Sequence, residues 1–231
     1  MIPKMIHYCW FAGKPLPKAA KRCMASWAKF CPGYTVMRWD EQSFDVTANE
    51  LTRWCWEQGK YAYLSDYVRL WAVYYHGGIY LDVDVELLGT PDTLLTNEAF
   101  FGFEKTGYLN TGLGFGAEKG NEAVAEMLRA YDRLPRPELA AAGCPKLNTA
   151  ALEGLGLRRD GTGQTVAGAA ILPADWLDPY DQTTGRLQIT DNTLSIHWYT
   201  ATWLTPIRRL RTVLLRPLHR IVDRPQKEVG R

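Results

Sequence analysis

The stretch "GGIYLDVDVELL", Gly77 to Leu88, sets two aspartates where a buried strand should run. Ile79, Leu81, Val83 and Val85 form an apolar ladder, and Asp82 and Asp84 interrupt it two residues apart. An unpaired buried carboxylate costs several kcal/mol, so such groups are normally paired or bound to a metal. Strand side chains alternate faces, which predicts that Asp82 and Asp84 point the same way, about 7 Å apart. Tyr80 shares that face. Two carboxylates so close raise each other's pKa unless a cation neutralises them. An oxygen-only ligand pair suits Mg²⁺ or Mn²⁺, which keep positions open for phosphate oxygens.

Immediately upstream, "LSDYVRLWAVYYHGG" (Leu64–Gly78) is the strongest helical text in the chain. Ser65 or Asp66 is expected to cap it, and the Gly77-Gly78 pair to end it. Leu64, Val68, Trp71 and Tyr75 recur at helical spacing, and Leu70, Val73 and Tyr74 are apolar on the other sides. A helix with so little polar surface is expected to be buried nearly all round. Asp66 and Arg69, three residues apart on one side of it, therefore read as a buried pair beside the carboxylate site. An exposed pair would contribute only about 0.2–0.5 kcal/mol.

Working outward, strands are expected near Lys4–Phe11, Tyr34–Asp40, Ala99–Glu104, Thr165–Leu172 and Leu187–His197. Helices are expected near Pro17–Phe30, Ser43–Gly59, Asn121–Leu134 and Leu147–Leu155. The alternation predicts an α/β sheet, whose ligands bind at the carboxyl ends of central strands. One domain is expected over 1–205, followed by a basic amphipathic helical tail over 206–231. In the tail Ile207, Leu210, Val213, Leu214 and Leu218 alternate with arginines. Such helices either bind anionic membrane surfaces or dock on their own domain with the basic face in water, so Arg208–Arg224 is a candidate membrane contact.

The chain has 231 residues, 46% hydrophobic and 23% charged, which excludes a disordered protein. Nine Trp and twelve Tyr suit stacking on sugars or bases as well as core packing. The formal net charge of +2 is concentrated at the C-terminus, and nucleic acid is not among the expected partners. Five cysteines without CxxC or metal-ligand spacing read as reduced, buried thiols. No signal-peptide core and no membrane span is visible, so a cytoplasmic protein is expected, peripheral on the inner face of the membrane if the tail binds there.

"SDYVRLWAVYYHGGIYLDVDV" (Ser65–Val85) resembles the core signature of the DXD-containing sugar transferases of glycosyltransferase family 32. These include capsular-polysaccharide enzymes and fungal initiating mannosyltransferases, with the large clostridial glucosylating toxins as distant relatives. "IPKMIHYCWFAGKPLP", "GCPKLNTAAL" and "LSIHWYTATW" resemble further family segments in the same order, so the likeness runs from Ile2 to Trp203. It implies a GT-A fold, a Rossmann-like domain with a mainly parallel central sheet that binds a nucleotide sugar with Mn²⁺ or Mg²⁺.

By that resemblance Asp84 ligates the metal, and Asp82 bridges the ribose and donor sugar with a second contact to the metal. Asp66 and Arg69 hold sugar hydroxyls and phosphate, Trp10 stacks on the base, and Asn110 lies near the sugar. Tyr80 can reach the nucleotide pocket. His197 is the candidate third metal ligand, and Trp203 covers the diphosphate. Asp82, Asp84 and Arg69 are the candidate catalytic residues. Thr202 stands where the family carries a serine, and Cys144 interrupts the family's Gly-Pro. The family is described as retaining, which implies same-face displacement of the diphosphate by the acceptor hydroxyl. The acceptor implied is a glycan or lipid-linked glycan, as in capsule or lipopolysaccharide synthesis, and UDP-sugars are the favoured donors. Two other readings compete. A haloacid-dehalogenase-like phosphohydrolase also uses a DxD after an apolar strand, but the DxDGT context and the later Lys and acidic motifs are not found. A non-catalytic sugar-binding module would use the abundant aromatics.

Overall fold

In a computed structural model, residues 1–135, 137 and 143–200 are described. The expected tail with Arg208–Arg224, the 205/206 boundary and Trp203 all lie outside the described residues. The order begins β1 (Met5–Cys9), α1 (Lys18–Phe30), β2 (Thr35–Trp39), α2 (Glu50–Glu57) and α3 (Tyr61–His76). It continues with β3 (Gly78–Tyr80), β4 (Val85–Leu87), a 3₁₀ turn (Asp92–Thr96), β5 (Ala99–Gly102) and β6 (Phe115–Ala117). Then follow α4 (Glu122–Asp132), α5 (Cys144–Glu153), β7 (Gln164–Val166), β8 (Ala169–Leu172), α6 (Ala174–Leu177) and β9 (Ser195–His197).

Among the described residues, seven strands form one sheet in the order β2-β1-β3-β6-β5-β8-β7. β1 runs parallel to β2 and β3, and β5 parallel to β8, while β6 and β7 are antiparallel to their neighbours. Strands β1, β2, β3, β5 and β8 therefore share one direction, and the sheet is mainly parallel as expected. Period-two alternation sends Ile6, Ile79 and Phe100 to one apolar cluster and Tyr80, Phe101 and Phe115 to another. Helices α2 to α5 cover the second cluster, and α1 with α6 covers the first. A ribbon of β4 and β9 lies apart from the sheet. All five cysteines are buried as free thiols.

Several local expectations are corrected. The strand expected over Thr165–Leu172 is a hairpin of β7 and β8, and the one expected over Leu187–His197 shortens to β9. Helix α3 starts at Tyr61, after an Lys60 that makes no side-chain cap, so Ser65 and Asp66 sit inside it. The Ser65 hydroxyl donates back to the Tyr61 carbonyl at 2.9 Å, a use of serine that competes with capping. The helix read over 43–59 shrinks to α2, because Asn49 caps it by accepting from the Thr52 amide at 2.8 Å. Most important, β3 ends at Tyr80, and Asp82 and Asp84 lie in the turn between β3 and β4. The Val85 amide closes that turn on the Asp82 carbonyl at 2.9 Å. The two aspartates are thus not neighbours on one strand face. Beyond Tyr80 the ladder to β1 makes one further bond, from the Leu81 amide to the His7 carbonyl at 3.0 Å, before the Asp82–Val85 turn.

α3 carries most of one core. Leu64, Val68, Leu70 and Val73 are fully buried, each contributing about 1.5–3 kcal/mol by removal from water. Tyr75, at the end of the expected face, is 48% exposed. Gly77 ends the helix at φ +68°, a conformation that a side chain would strain. Its carbonyl is held by His7, which is wholly buried at the start of the sheet, with Nε2 2.8 Å from the Gly77 oxygen. Trp39 Nε1 donates to His7 Nδ1 at 3.1 Å. The ring is therefore neutral, with its proton on Nε2.

Burial, aided by the nearby His76 and opposed by the Gly77 bond, lowers the His7 pKa from 6.5 to about 4. A depressed basic group contributes stability that is present above pH 6.5 and is lost as pH falls through 4. The full loss is about 3 kcal/mol. Urea unfolding at pH 7 and pH 4.5 should show an acid loss about 2 kcal/mol smaller in His7→Gln than in wild type. An equal loss in both proteins would contradict this role.

Candidate active site

At the carboxyl ends of β1 and β3 the chain opens a cleft of about 540 Å³. Trp10 enters it just beyond β1, Asp66 and Arg69 from α3, and Asp82 and Asp84 from the turn after β3. Asn110 and His197 reach it from the far side. Seven residues picked from the sequence thus meet in one place, though they span the chain from position 10 to 197. Tyr80 is different. It is 1% exposed and donates its hydroxyl to Asp82 Oδ1 at 2.8 Å, so it braces that aspartate from beneath.

Arg69 is 4% exposed, and its Nη2 lies 3.1 Å from both Asp66 Oδ1 and Asp82 Oδ1. The guanidinium carbon sits 4.9 Å from the centre of the Tyr80 ring. Nη1 faces Thr111 Oγ1 at 3.5 Å and Cys144 Sγ at 3.7 Å. One cation therefore serves two carboxylates. Burial pushes the Asp66 carboxyl up to about 7 against the pull of Arg69, and Asp82 pushes it further.

The opposite corner is built by the β4–β9 ribbon, which pairs Val85 with His197. Trp27, on α1, donates from Nε1 to the Val85 carbonyl at 2.8 Å and seats the ribbon on the domain. His197 Nε2 comes to 3.1 Å from Asp84 Oδ1 and 3.9 Å from Asp82 Oδ2. Thr200 donates both its amide and its hydroxyl to Asp84 Oδ2, each at 2.8 Å. Burial disfavours the Asp84 charge, but His197 and the two Thr200 donors outweigh it and hold the carboxyl well below the usual range. Burial lowers the basicity of His197, and the Asp84 and Asp82 charges more than restore it.

Asp82, Asp84 and His197 each offer a ligand atom, all within 4.8 Å of one another. Two opposed bonds of about 2.1 Å span about 4.2 Å, so a shift of a few tenths of an ångström would let these groups share one hard divalent cation. Three carboxylates, Asp66, Asp82 and Asp84, line the cleft together with Arg69, Lys14 and His197, and a cation beside Asp82 and Asp84 would offset the mutual repulsion of those two carboxylates.

Sequence reasoning passed over several contributors. Thr111 and Cys144 back Arg69, Thr200 fixes Asp84, and Gly112 lets the Asn110 turn approach. A Cβ at Gly112 would fall 2.6 Å from Asp82 Oδ2 and 3.0 Å from Asn110 Oδ1. Asn110 accepts from the Gly112 amide at 2.8 Å and donates to Glu104 Oε2 at 3.0 Å. The text "GYLNTGLGFG" held the signal, since a tight polar turn between strands needs a glycine where side chains converge. Trp10 is held by its indole N–H on the Lys14 carbonyl at 2.5 Å, with the ring partly open to the cleft.

A mainly parallel sheet with paired aspartates in the turn beyond a central strand is the arrangement of the GT-A fold. Residues 17–101 match the family described as glycosyltransferase sugar-binding region containing DXD motif, a span that contains the Ser65–Val85 core of the likeness read from the sequence. The inositol phosphoceramide mannosyltransferase 3 of Schizosaccharomyces pombe (strain 972 / ATCC 24843) is 30% identical over 140 residues, 58% of this chain. The chain spans 38% of that relative's length. Among solved structures, the PaToxG glycosyltransferase has a TM-score of 0.50 at 20% identity, over 66% of this chain and 68% of that one. It shares the fold. A glycosyltransferase involved in glycosylation of the major capsid of PBCV-1 gives a TM-score of 0.47 at 12% identity, over 91% and 100% of the two chains.

Proposed function

We propose that this chain is a metal-dependent, retaining glycosyltransferase. It moves a hexose or N-acetylhexosamine from a nucleotide sugar, UDP-linked by preference, to a glycan or lipid-linked glycan. The observation that carries the reading is the convergence of Asp82, Asp84 and His197 within 4.8 Å at the end of β3, beside the buried Asp66–Arg69 pair. The description of the fission-yeast relative names a phosphoceramide lipid, which agrees with a lipid-linked acceptor.

In this reading Asp84, Asp82 and His197 hold Mn²⁺ or Mg²⁺. The cation, when bound, neutralises a diphosphate leaving group whose charge grows as the glycosidic bond breaks. Trp10 stacks on the base. Asp66, Arg69 and Asn110 bind donor-sugar hydroxyls and phosphate, and Asp82 orients ribose and sugar. None of the three cleft aspartates is left to act as a covalent nucleophile, since Arg69 engages Asp66 and Asp82, and His197 with Thr200 engages Asp84. The acceptor hydroxyl therefore attacks on the face from which the diphosphate departs. A haloacid-dehalogenase-like reaction needs a free nucleophilic aspartate, and the same pairings argue against it.

The test is a panel of UDP- and GDP-sugars with Mn²⁺, read by thermal stabilisation and then by the anomeric configuration of the product. Stabilisation by a nucleotide sugar only with the metal, and a product that keeps the donor's anomeric configuration, are expected. Metal-independent binding would overturn the metal role, and an inverted product the stereochemistry.

A further inference from the structure

His197 ends β9 and Thr200 follows three residues later, and between them the chain turns through Tyr199 at φ +47°. A tyrosine in the left-handed region persists only where its surroundings enforce it. Here the enforcement is visible. The Tyr199 hydroxyl donates to Asp178 Oδ1 at 3.0 Å, and its ring lies 4.1 Å, centre to centre, from the His197 ring. Asp178 follows α6, is 2% exposed, and accepts the Lys105 amide on Oδ2 at 3.0 Å. Lys105 adds a bond from Nζ to the Pro179 carbonyl at 3.2 Å. The carboxylate is thereby pinned to the turn that leads to Asn110. Trp198 is anchored separately, by its indole N–H on Glu86 Oε2 at 2.7 Å.

We propose that Asp178 and Tyr199 are positioning residues for the divalent cation. Their bond locks the strained turn, the turn sets the His197 ring, and it delivers the Thr200 amide and hydroxyl to Asp84. Asp178 is not among the residues that line the cleft. It makes its contact with the ligand-bearing segment through Tyr199. The inference rests on the cation site proposed above and adds to it the device that holds the site in register.

The experiment is Mn²⁺ titration of the full chain by electron paramagnetic resonance, with melting temperatures measured in EDTA. Tyr199→Phe keeps the ring against His197 and removes only the hydroxyl. Outer groups that orient ligands typically affect metal affinity 10- to 100-fold. Tyr199→Phe should therefore weaken Mn²⁺ binding about 10-fold, with a melting shift in EDTA of no more than about 2 °C. Asp178→Asn/Tyr199→Phe, which leaves no buried charge unpaired, should show the same weakening. An Mn²⁺ affinity within about twofold of wild type for either variant would overturn the proposal. So would a loss of affinity matched by a general fall in the EDTA melting temperature. A wild-type chain that binds no Mn²⁺ would overturn the cation site itself, and this inference with it.

Discussion

Asp84→Asn is expected to fold and to lose metal-dependent turnover by about 10³-fold or more. A ligated cation supplies several kcal/mol of transition-state stabilisation, and each 1.36 kcal/mol is a factor of ten in rate. Asparagine has nearly the shape of aspartate and can still accept from Thr200 on one oxygen. What it cannot do is offer a negative oxygen to a hard cation at the His197 corner. Alanine is the cruder choice. It would also strand the two Thr200 donors and His197, which lie at 2.8 and 3.1 Å from the carboxylate, in a site only 8% exposed. The measurement is Mn²⁺ titration of nucleotide-sugar binding, followed by initial rates at saturating donor. Wild-type Mn²⁺ dependence in the variant would mean that the cation sits elsewhere.

Arg69→Met should be the most destabilising single change in the site, by about 3–5 kcal/mol. Methionine fills much of the volume and keeps the contact with the Tyr80 ring, but Asp66 and Asp82 lose the one cation they share. Removing one member of a buried ion pair costs far more than an exposed pair contributes, because the remaining charge keeps its desolvation penalty. For a domain of this size the melting temperature should fall by about 10 °C. The companion Asp66→Asn/Arg69→Met removes one stranded charge and should recover part of the loss. A drop of less than about 1 kcal/mol in the single variant would mean that water already screens the pair, as at an exposed surface.

The chemistry of the site was legible in the sequence, and its geometry was not. Asp82 and Asp84 stood out because charge inside an apolar run demands a partner. That logic holds whether they sit on a strand or, as found, in the turn after it. Where β3 stops depends on its pairing with β1 and β6, a relation between distant segments that no local pattern encodes. Asp66 looked like a helix cap since aspartate commonly caps, yet Arg69 claims it one turn further into α3.

The β4–β9 ribbon joins Val85 to His197 across 112 positions, so nothing near Val85 announces it. His197 was found through chemistry and resemblance. Thr200 and Tyr199 were passed over because a hydroxyl and a ring after a histidine carry no pattern of their own. Strand β6 was not among the expected strands, for the same reason. Its residues Phe115–Ala117 are strand only because β3 and β5 flank them.

The claim beneath all of this is a divalent cation at the Asp84–His197 corner that receives a nucleoside diphosphate. Crystals grown with Mn²⁺ and UDP or GDP, with diffraction collected at the manganese edge, address it directly. An anomalous peak within bonding distance of Asp84 and His197, bridged to the diphosphate, is the expected result. Manganese bound elsewhere, or diphosphate in the cleft with no metal beside Asp84, would contradict it.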